Sequence, residues 1–442
     1  MGPPPDPVSS ASELPSAADV VIVGGGIIGA STALFLAQRG VDVLLCEKGM
    51  VAGEQSNRNW GWVRRMGRDE RELPLIVESL KLWDGMRQFL GEDVGFRRSG
   101  ILYLCADERE VAGHEEWLSR AGDHALDTRI IRGDELAALL PGATRRYPAA
   151  LYTESDGRAE PQKAAPAIAR AAIRAGAKIL QNCAVRGVDL AAGRVHGVWT
   201  EKGFVRAGAV VVAGGVWSSL FLRPLGLRLP QLAVRSSVLR TAPVAGGPEG
   251  AAWEPDFAYR KRLDGGYTIA PGILSRHPIT PDSFRFFFDF MPLLKKSWRE
   301  VRLEPDPRFF SRLRDGRFDP RGGEAPFERS RTLDPEPDGR ALDRAWEAFQ
   351  KAFPAARGAK IEQRWAGMID ATPDAVPVIA PVKSVPGLVV ATGFSGHGFG
   401  IGPAAGKLAA DLVTGEAPIV DPSPFRFERF SDGTKPRPTT SL

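Results

Sequence analysis

The sequence predicts an α/β protein. A Rossmann-like, dinucleotide-binding domain is assembled from discontinuous segments, and a second, mixed-sheet domain is built between them. Three observations carry this expectation. A β-α-β unit with a G-x-G-x-x-G turn begins at Asp19. Buried-strand patterns of the same kind return only after long intervening stretches, near residue 158 and again near 388. A glycine-rich segment followed by a helix occupies residues 387–415.

The first unit reads clearly. "DVVIVGGG" carries Val20, Val21, Ile22 and Val23 in succession, the mark of a strand buried on both faces. Ile28, Ala33, Leu34, Leu36 and Ala37 follow near helical spacing and stop at Arg39-Gly40, a glycine end signal. "VDVLLCEK" is the next strand and ends at Glu47. Gly24 permits the tight turn, Gly26 lets backbone approach a pyrophosphate, and Gly29 lets helix and strand pack closely. The helix start, with Ile27 and Ile28, offers free N–H groups and positive potential to phosphate. Glu47 is placed to accept ribose hydroxyls. Glu47, Lys48 and Ser56 therefore join the glycines as candidate cofactor contacts. The competing reading is a structural turn in a nucleotide-free α/β protein.

Bulk properties bound the rest. A chain of 442 residues exceeds one ordinary core, so two domains or more are expected. Hydrophobic content of 43% and charged content of 25% are those of a globular protein. A net charge of +5, from 58 basic and 53 acidic residues, makes no case for nucleic acid. Cys46, Cys105 and Cys183 have no metal-ligand spacing, so no metal site is expected, and three cysteines suit a reducing compartment. No apolar run has the length of a membrane span. "MGPPPDPVSSASELPSAA" lacks the basic and apolar regions of a signal peptide, so a cytoplasmic protein with a disordered tail over 1–17 is expected.

A nicotinamide-type domain would continue with β-α units after Glu47. Here a polar and aromatic loop follows, then the helix "LIVESLKLWDGMRQFL" and a strand-like "GILYLC". The pattern resumes with "RAEPQKAAPAIARAAIRAGAKIL" and with a hairpin and buried strand ending at Gly214-Gly215, Val185 lying between. The expected division is a nucleotide-binding domain over 18–92, 152–228 and 362–420. A substrate domain covers 93–151 and 229–361, with an insertion around 275–330, and 421–442 form a C-terminal tail. In the stretch 387–415, glycines let backbone lie against a flat ligand, Pro403 suits a first helical turn, and the helix start directs positive potential into the loop.

Four stretches together carry a resemblance: "VVIVGGGIIGASTALFLAQRG", "VVVAGGVWSS", "RWAGMIDATPDAVPVI" and "ATGFSGHGFGIGPAAGKLAADL". In this order the chain, from about 18 to 417, resembles the FAD-dependent D-amino-acid oxidase superfamily, especially its glycine oxidase, sarcosine oxidase and amino-acid dehydrogenase branch. The resemblance implies a FAD-binding domain of the glutathione-reductase type. It also implies oxidation of the C–N bond of an amino acid or N-substituted amino acid by hydride transfer to the flavin, with the imine then hydrolysed. It places Gly393, Gly396, Gly398, Phe399, Gly400 and Ile401 around the cofactor and His397 beside the flavin ring. Arg64, in the polar loop with Arg65, is the expected partner of a substrate carboxylate. Tyr259, in a hairpin that lines the substrate side in relatives, is expected to contact substrate or to pack within the sheet, and Trp60 and Trp62 to wall the pocket or fill the domain interface.

The chain departs from the branch at several points. Gly367, Met368 and Ile369 stand where relatives carry a flavin-linking cysteine or a substrate arginine, so non-covalent FAD is expected. Thr268 and Gly400 replace lysines of sarcosine oxidases that serve oxygen activation and carboxylate binding. These losses favour a dehydrogenase passing electrons to a quinone or redox partner over one using oxygen. A 2-hydroxy-acid dehydrogenase, a non-catalytic escort protein on the same fold, and one subunit of a hetero-oligomeric dehydrogenase are the rival readings; a homo-oligomer is equally admitted.

Residues 283–318 match no familiar pattern. Phe284, Phe287, Phe288, Met291, Leu294 and Trp298 approximate one helical face, with Lys295, Lys296 and Arg299 beside it. Such a face would rest on the inner face of a membrane near a quinone pool, cover the active site as a lid, meet another subunit, or pack on the substrate domain.

Overall fold

The computed structural model describes residues 2–439 except Leu126, Leu274 and Arg299. Its first sheet has the strand order 185–191, 194–200, 203–212, 17–23, 43–46, 178–180. The strand Ala17–Val23 pairs in parallel with both Val43–Cys46 and Gly203–Val212. Leu388–Thr392 adds in parallel beyond Val210–Val212, and Val378–Pro381 pairs antiparallel with it. The apolar runs read from the sequence are buried here: Val21, Ile22, Leu44, Leu45, Val210 and Val211 have no exposed surface, and Val23 is partly buried at the strand end.

The helix Ile27–Gln38 is apolar nearly all round because it is enclosed on several sides. It packs against the helices Gly398–Thr414 and Pro161–Arg174 and lies over its own sheet. The crossing with Gly398–Thr414 is close: a Cβ at Gly406 would come within 2.3 Å of the Ser31 Cβ. Chain segments nearly four hundred residues apart are thereby locked into one layer.

The second sheet runs 301–305, 275–279, 232–241, 267–270, 258–261, 251–253, 101–105, 149–153, 128–131. The strand Ile361–Ala371, expected with the nucleotide-binding domain, pairs along its length with Leu232–Thr241 in this sheet instead. Its alternate residues nonetheless reach back: the Trp365 indole donates to the Arg58 carbonyl at 3.1 Å. A three-stranded ribbon of 62–63, 157–158 and 97–98 lies between the two sheets.

The N-terminal segment corrects the expectation of a disordered tail. The Asp6 amide donates to the Gln162 carbonyl at 2.9 Å, the Ala11 amide to Ile179 at 2.7 Å, and the Gln181 side chain to the Val8 carbonyl at 2.8 Å. A segment rich in proline has few amides to satisfy, and it can run extended along a domain edge at low entropic cost. The C-terminal stretch is also seated. Phe425 and Phe427 are buried, and the Arg429 guanidinium holds Asp374 at 3.0 and 3.2 Å.

The aromatic insertion forms the helices Pro281–Arg285 and Phe287–Ser297, the strand Val301–Pro305 and the helix Phe309–Asp315. Its buried residues are Phe286, Phe290 and Leu293, packed on Val234 and Ala371. The face read from the sequence points outward, with Phe288 86% exposed and Phe310, further along, 78% exposed, so it is not the side packed on the substrate domain. Arg299 lies outside the described residues.

Candidate active site

A cleft holding about 1280 Å³ of empty space opens at the C-terminal ends of the parallel strands, where Val23, Cys46, Val212 and Thr392 reach its wall. Ligands in open α/β sheets bind in this position. The glycine turn forms one end. Gly24 adopts φ +107°, and a Cβ there would lie 2.5 Å from the Ala213 carbonyl oxygen. Gly29 faces inward, where a Cβ would come within 2.0 Å of the Gly24 carbonyl oxygen. Gly24, Gly26, Ile27 and Ile28 line the cleft. The Ile27 amide, at the helix start, donates to Ser56 Oγ at 2.9 Å, so Ser56 reaches the same corner from the following loop.

Glu47 sits beside this turn. Its Oε2 accepts from the Gly25 amide at 2.7 Å and its Oε1 from the Gly49 amide at 2.8 Å. Burial pushes the Glu47 carboxyl above its usual range, against the pull of Lys48 and of these two amides. Lys48 lines the cleft, but its ammonium is engaged, by Glu54 at 2.6 Å and by the Ser330 carbonyl at 2.6 Å. Val185 and Gly214 complete this half of the wall.

The other half is formed by Gln55, Asn59, Met368, Asp370, Phe394, Gly396, Gly398 and Phe399. Asp370 organises it: its Oδ2 accepts from the Gly393 amide at 2.7 Å and from the Thr392 hydroxyl at 3.2 Å. The Asp370 carbonyl accepts from the Ser395 amide at 2.9 Å. Burial raises the Asp370 carboxyl above its ordinary range. The glycine loop is thus tied to the strand Ile361–Ala371, and the start of the helix Gly398–Thr414 faces the cleft. Gly393 (φ +77°) turns the chain, and its missing side chain clears Thr372. Gly400 and Ile401 lie behind the wall; the Gly400 carbonyl accepts from Ser79 Oγ at 2.7 Å and Trp83 Nε1 at 2.8 Å.

The three residues expected to do chemistry are placed differently from one another. His397 caps the helix Gly398–Thr414, but its ring turns from the cleft to Glu72, with Nδ1 at 3.0 Å from Oε2. Burial holds its pKa below the ordinary histidine value, with Arg64 and Arg68 acting in the same sense and Glu72 against it. Arg64 is half-buried, donates to the Met66 carbonyl and lies over the Tyr103 ring at 5.8 Å. Tyr259 is 1% exposed and packs among Phe257, Tyr267, Phe349 and Phe353 on the far face of the second sheet. It therefore does not line the substrate side. Strand alternation turns its neighbour Arg260 to the side facing the nucleotide-binding domain, where it holds Glu160 at 2.8 Å. Trp60 and Trp62 meet edge to face at 5.3 Å in the domain interface.

Several residues at the cleft escape sequence reasoning. Gln55 carries no motif; Trp217 reaches the cleft under the Lys48 ammonium, 4.6 Å from its ring centre. The available signal was that Asp370 lies within the recognised stretch "RWAGMIDATPD" and Trp217 within "VVVAGGVWSS". Gln55 Oε1 is buried and has no donor among the described residues. An unsatisfied acceptor, a glycine-walled slot and a helix start beside them suit a flat, hydrogen-bonding ring with an anionic end. A ribose-facing carboxylate and a second helix start suit an adenosine diphosphate. The residues present therefore fit FAD.

The family of FAD dependent oxidoreductases (DAO) matches residues 19–412 of this chain. Among solved structures, the chain is similar to the L-amino acid deaminase of Proteus myxofaciens, solved in complex with anthranilate. The identity is 37%, with 96% of each chain covered and a TM-score of 0.92. It is also similar to the sarcosine oxidase subunit beta of Rhodobacter capsulatus, at 27% identity over 94% of this chain and 89% of that one. The glycine oxidase of Pseudomonas aeruginosa is 26% identical, over 92% of this chain and 97% of that one.

Proposed function

We propose that this chain, which belongs to the DAO family of FAD-dependent oxidoreductases, oxidises the C–N bond of an amino acid or N-substituted amino acid. The observation that carries the reading is the meeting of two helix starts, Ile27–Gln38 and Gly398–Thr414, at opposite ends of one cleft whose wall the glycine motifs build. FAD, when bound, supplies the two-electron acceptor. The chain's own residues bind and polarise. Glu47 accepts hydroxyls, and the amides at the first helix start meet phosphate. The start of Gly398–Thr414 favours negative charge that develops beside it, which lowers the barrier because the charge grows during reaction. No cysteine lies in the half of the wall formed by Met368, Asp370 and the glycine loop, which supports non-covalent attachment.

The substrate group that loses its proton need not meet a dedicated base. His397 is held by Glu72 and keeps the loop before the helix in place, a positioning role. Arg64 is the expected anchor of the substrate carboxylate, since no carboxylate of the described chain pairs with it. The test is an anaerobic panel of amino acids, N-methyl amino acids and 2-hydroxy acids, read by loss of flavin absorbance. Bleaching by amino compounds supports the reading. Bleaching by hydroxy acids alone replaces it with hydroxy-acid oxidation, and a colourless protein that FAD cannot load favours an escort.

A membrane-docked dehydrogenase is the favoured form of this activity. Phe284, Phe287, Phe288, Trp298, Leu303 and Phe310 are exposed on one insertion, with Lys295 and Lys296 also exposed there. Aromatic residues with flanking cations suit the interface of an anionic bilayer, where a quinone acceptor would be at hand. Among the described residues no helix is long and apolar enough to cross a membrane, so such a contact would be peripheral. Flotation with anionic vesicles at low salt tests this, and absence of binding ends it. Repeating the substrate panel in air, with peroxide detection, decides between oxygen and another acceptor.

A further inference from the structure

The ribbon between the two sheets carries buried donors that nothing among the described residues satisfies. Arg158 is 8% exposed, and its Nε and Nη1 have no acceptor among the described residues. It stands directly across the ribbon from Trp62, whose Nε1 also lacks an acceptor. Arg260 presses on the same turn: a Cβ at Gly61 would meet its Nε at 2.8 Å, and that nitrogen too is unsatisfied. The nearby carboxylate of Glu160 is already taken by the other two nitrogens of Arg260, at 2.8 and 3.1 Å, and by the Leu263 amide at 3.0 Å. What remains is a strip of donors in which Arg158 has no ion pair of its own among the described residues: Glu160 is shared with Arg260, and Glu249, 78% exposed and beside Lys261, acts on it only from a distance.

Buried polar groups in folded proteins are overwhelmingly partnered, and a buried charge without a counter-ion is strongly unfavourable. The missing partner must be anionic and must offer several acceptor oxygens. A carboxylate meets both needs, because its geometry matches the planar fork of arginine. The strip adjoins the cleft. Asn59 lines the cleft, and its Oδ1 accepts from the Gly61 amide at 2.7 Å. Arg64 directly follows the strand Trp62–Val63, over Tyr103, whose ring lies 6.5 Å from that of Trp62. The neighbouring arginines are engaged: Arg65 pairs with Asp127 and Arg68 with Glu72.

Two guanidiniums without an ion pair among the described residues therefore flank one aromatic pair, and the α-carboxylate of an amino acid needs only one of them. We propose that the substrate carries a second carboxylate, on its side chain or on its amine nitrogen, seated on Arg158 and Trp62 while Arg64 holds the first. This rests on the amino-acid reading above and narrows it to dicarboxylic amino acids. Arg158 is then the residue that sets specificity, since a substrate lacking the second acid leaves the strip unpaired.

The test uses the FAD-loaded full chain. Binding is first read, without turnover, as the change that malonate, succinate or glutarate produces in the flavin absorbance spectrum, with acetate as the control. Anaerobic bleaching is then followed with aspartate, glutamate and iminodiacetate against glycine, alanine, phenylalanine and sarcosine. The expected result is at least a 10-fold preference for the dicarboxylic members of both sets. Arg158→Gln should abolish that preference, weakening dicarboxylate binding about 10- to 100-fold with monocarboxylates unchanged, and Arg158→Lys should restore part of it. Should Arg158→Gln fail to retain FAD, Trp62→Phe removes one of the same donors and should weaken dicarboxylates selectively. Equal or better binding of monocarboxylates overturns the proposal and leaves amino-acid oxidation standing. Bleaching by no amino acid removes that underlying reading, and the difference spectra of wild type and Arg158→Gln then decide the Arg158 site by themselves.

Discussion

His397 and Glu72 are joined at 3.0 Å, both buried, across an interval of 325 residues. The contact fixes the residue that caps the helix Gly398–Thr414 against the loop leading into the helix Leu73–Leu90. The Arg68 guanidinium seals the arrangement by donating to the His397 carbonyl at 3.3 Å.

This pair makes stability depend on pH in a definite direction. Burial lowers the His397 pKa below its unfolded value of about 6.5. The unfolded chain therefore binds the proton more readily, and His397 contributes stability that is present above pH about 6.5 and lost as pH falls towards the folded value. Thermal midpoints measured from pH 8 to 5 should fall, and His397→Asn should flatten part of that fall. An unchanged slope in the variant would assign the pH dependence elsewhere.

Glu47 holds two glycine amides at once. Glu47→Ala leaves both without a partner and removes the carboxylate that would meet the ribose. The purified variant should show a lower ratio of flavin to protein absorbance, and fluorimetric titration should give FAD binding weakened about 10- to 100-fold, equivalent to about 1.5–3 kcal/mol.

Gly29→Ala tests the closest approach in the nucleotide turn. The added methyl would lie 2.0 Å from the Gly24 carbonyl oxygen, a backbone atom, with the Ile22 side chain 3.3 Å away. Destabilisation of about 3 kcal/mol or more is expected from overpacking, visible as a lowered denaturant midpoint. Gly113→Ala, in an exposed helix with no atom within 4 Å, should instead be neutral or stabilising.

Tyr259→Phe should leave catalysis unchanged. Its hydroxyl is buried without an acceptor among the described residues, so removing it deletes an unsatisfied group from an aromatic core. Stability should stay equal or rise by up to about 1 kcal/mol. A substantial loss of kcat with folding intact would return Tyr259 to the substrate side.

Phe288→Ser and Phe310→Ser change two of the most exposed apolar side chains of the insertion. Together they should reduce flotation with anionic vesicles while leaving FAD content and anaerobic bleaching by the preferred substrate intact. Loss of bleaching with flotation preserved would favour a lid over the active site.

The β-α-β unit at 19–47 and the glycine stretch at 387–415 were legible because their function is written in backbone requirements. Only glycine fits where a Cβ would strike Ala213 or Gly24, and a continuous apolar run suits a strand buried on both faces. Tyr259 was misplaced because a strand shows alternate residues to opposite faces, and a single strand does not say which face meets the cofactor domain. In the insertion the periodicity was real, but the sequence left open which side faces inward: Phe286, Phe290 and Leu293 take that side, and the face of Phe284, Phe287, Phe288, Leu294 and Trp298 is left exposed.

By itself, then, the sequence determined the dinucleotide turn, the split α/β plan and the FAD-dependent family, since these depend on local backbone geometry and on the order of motifs. Only the tertiary structure decided that Asp370 ties the glycine loop, that His397 faces Glu72 and that Arg158 stands beside Trp62 with no ion pair among the described residues. Those are relationships between segments up to hundreds of residues apart. Packing, burial and the pairing of charges arise only once the chain has closed on itself.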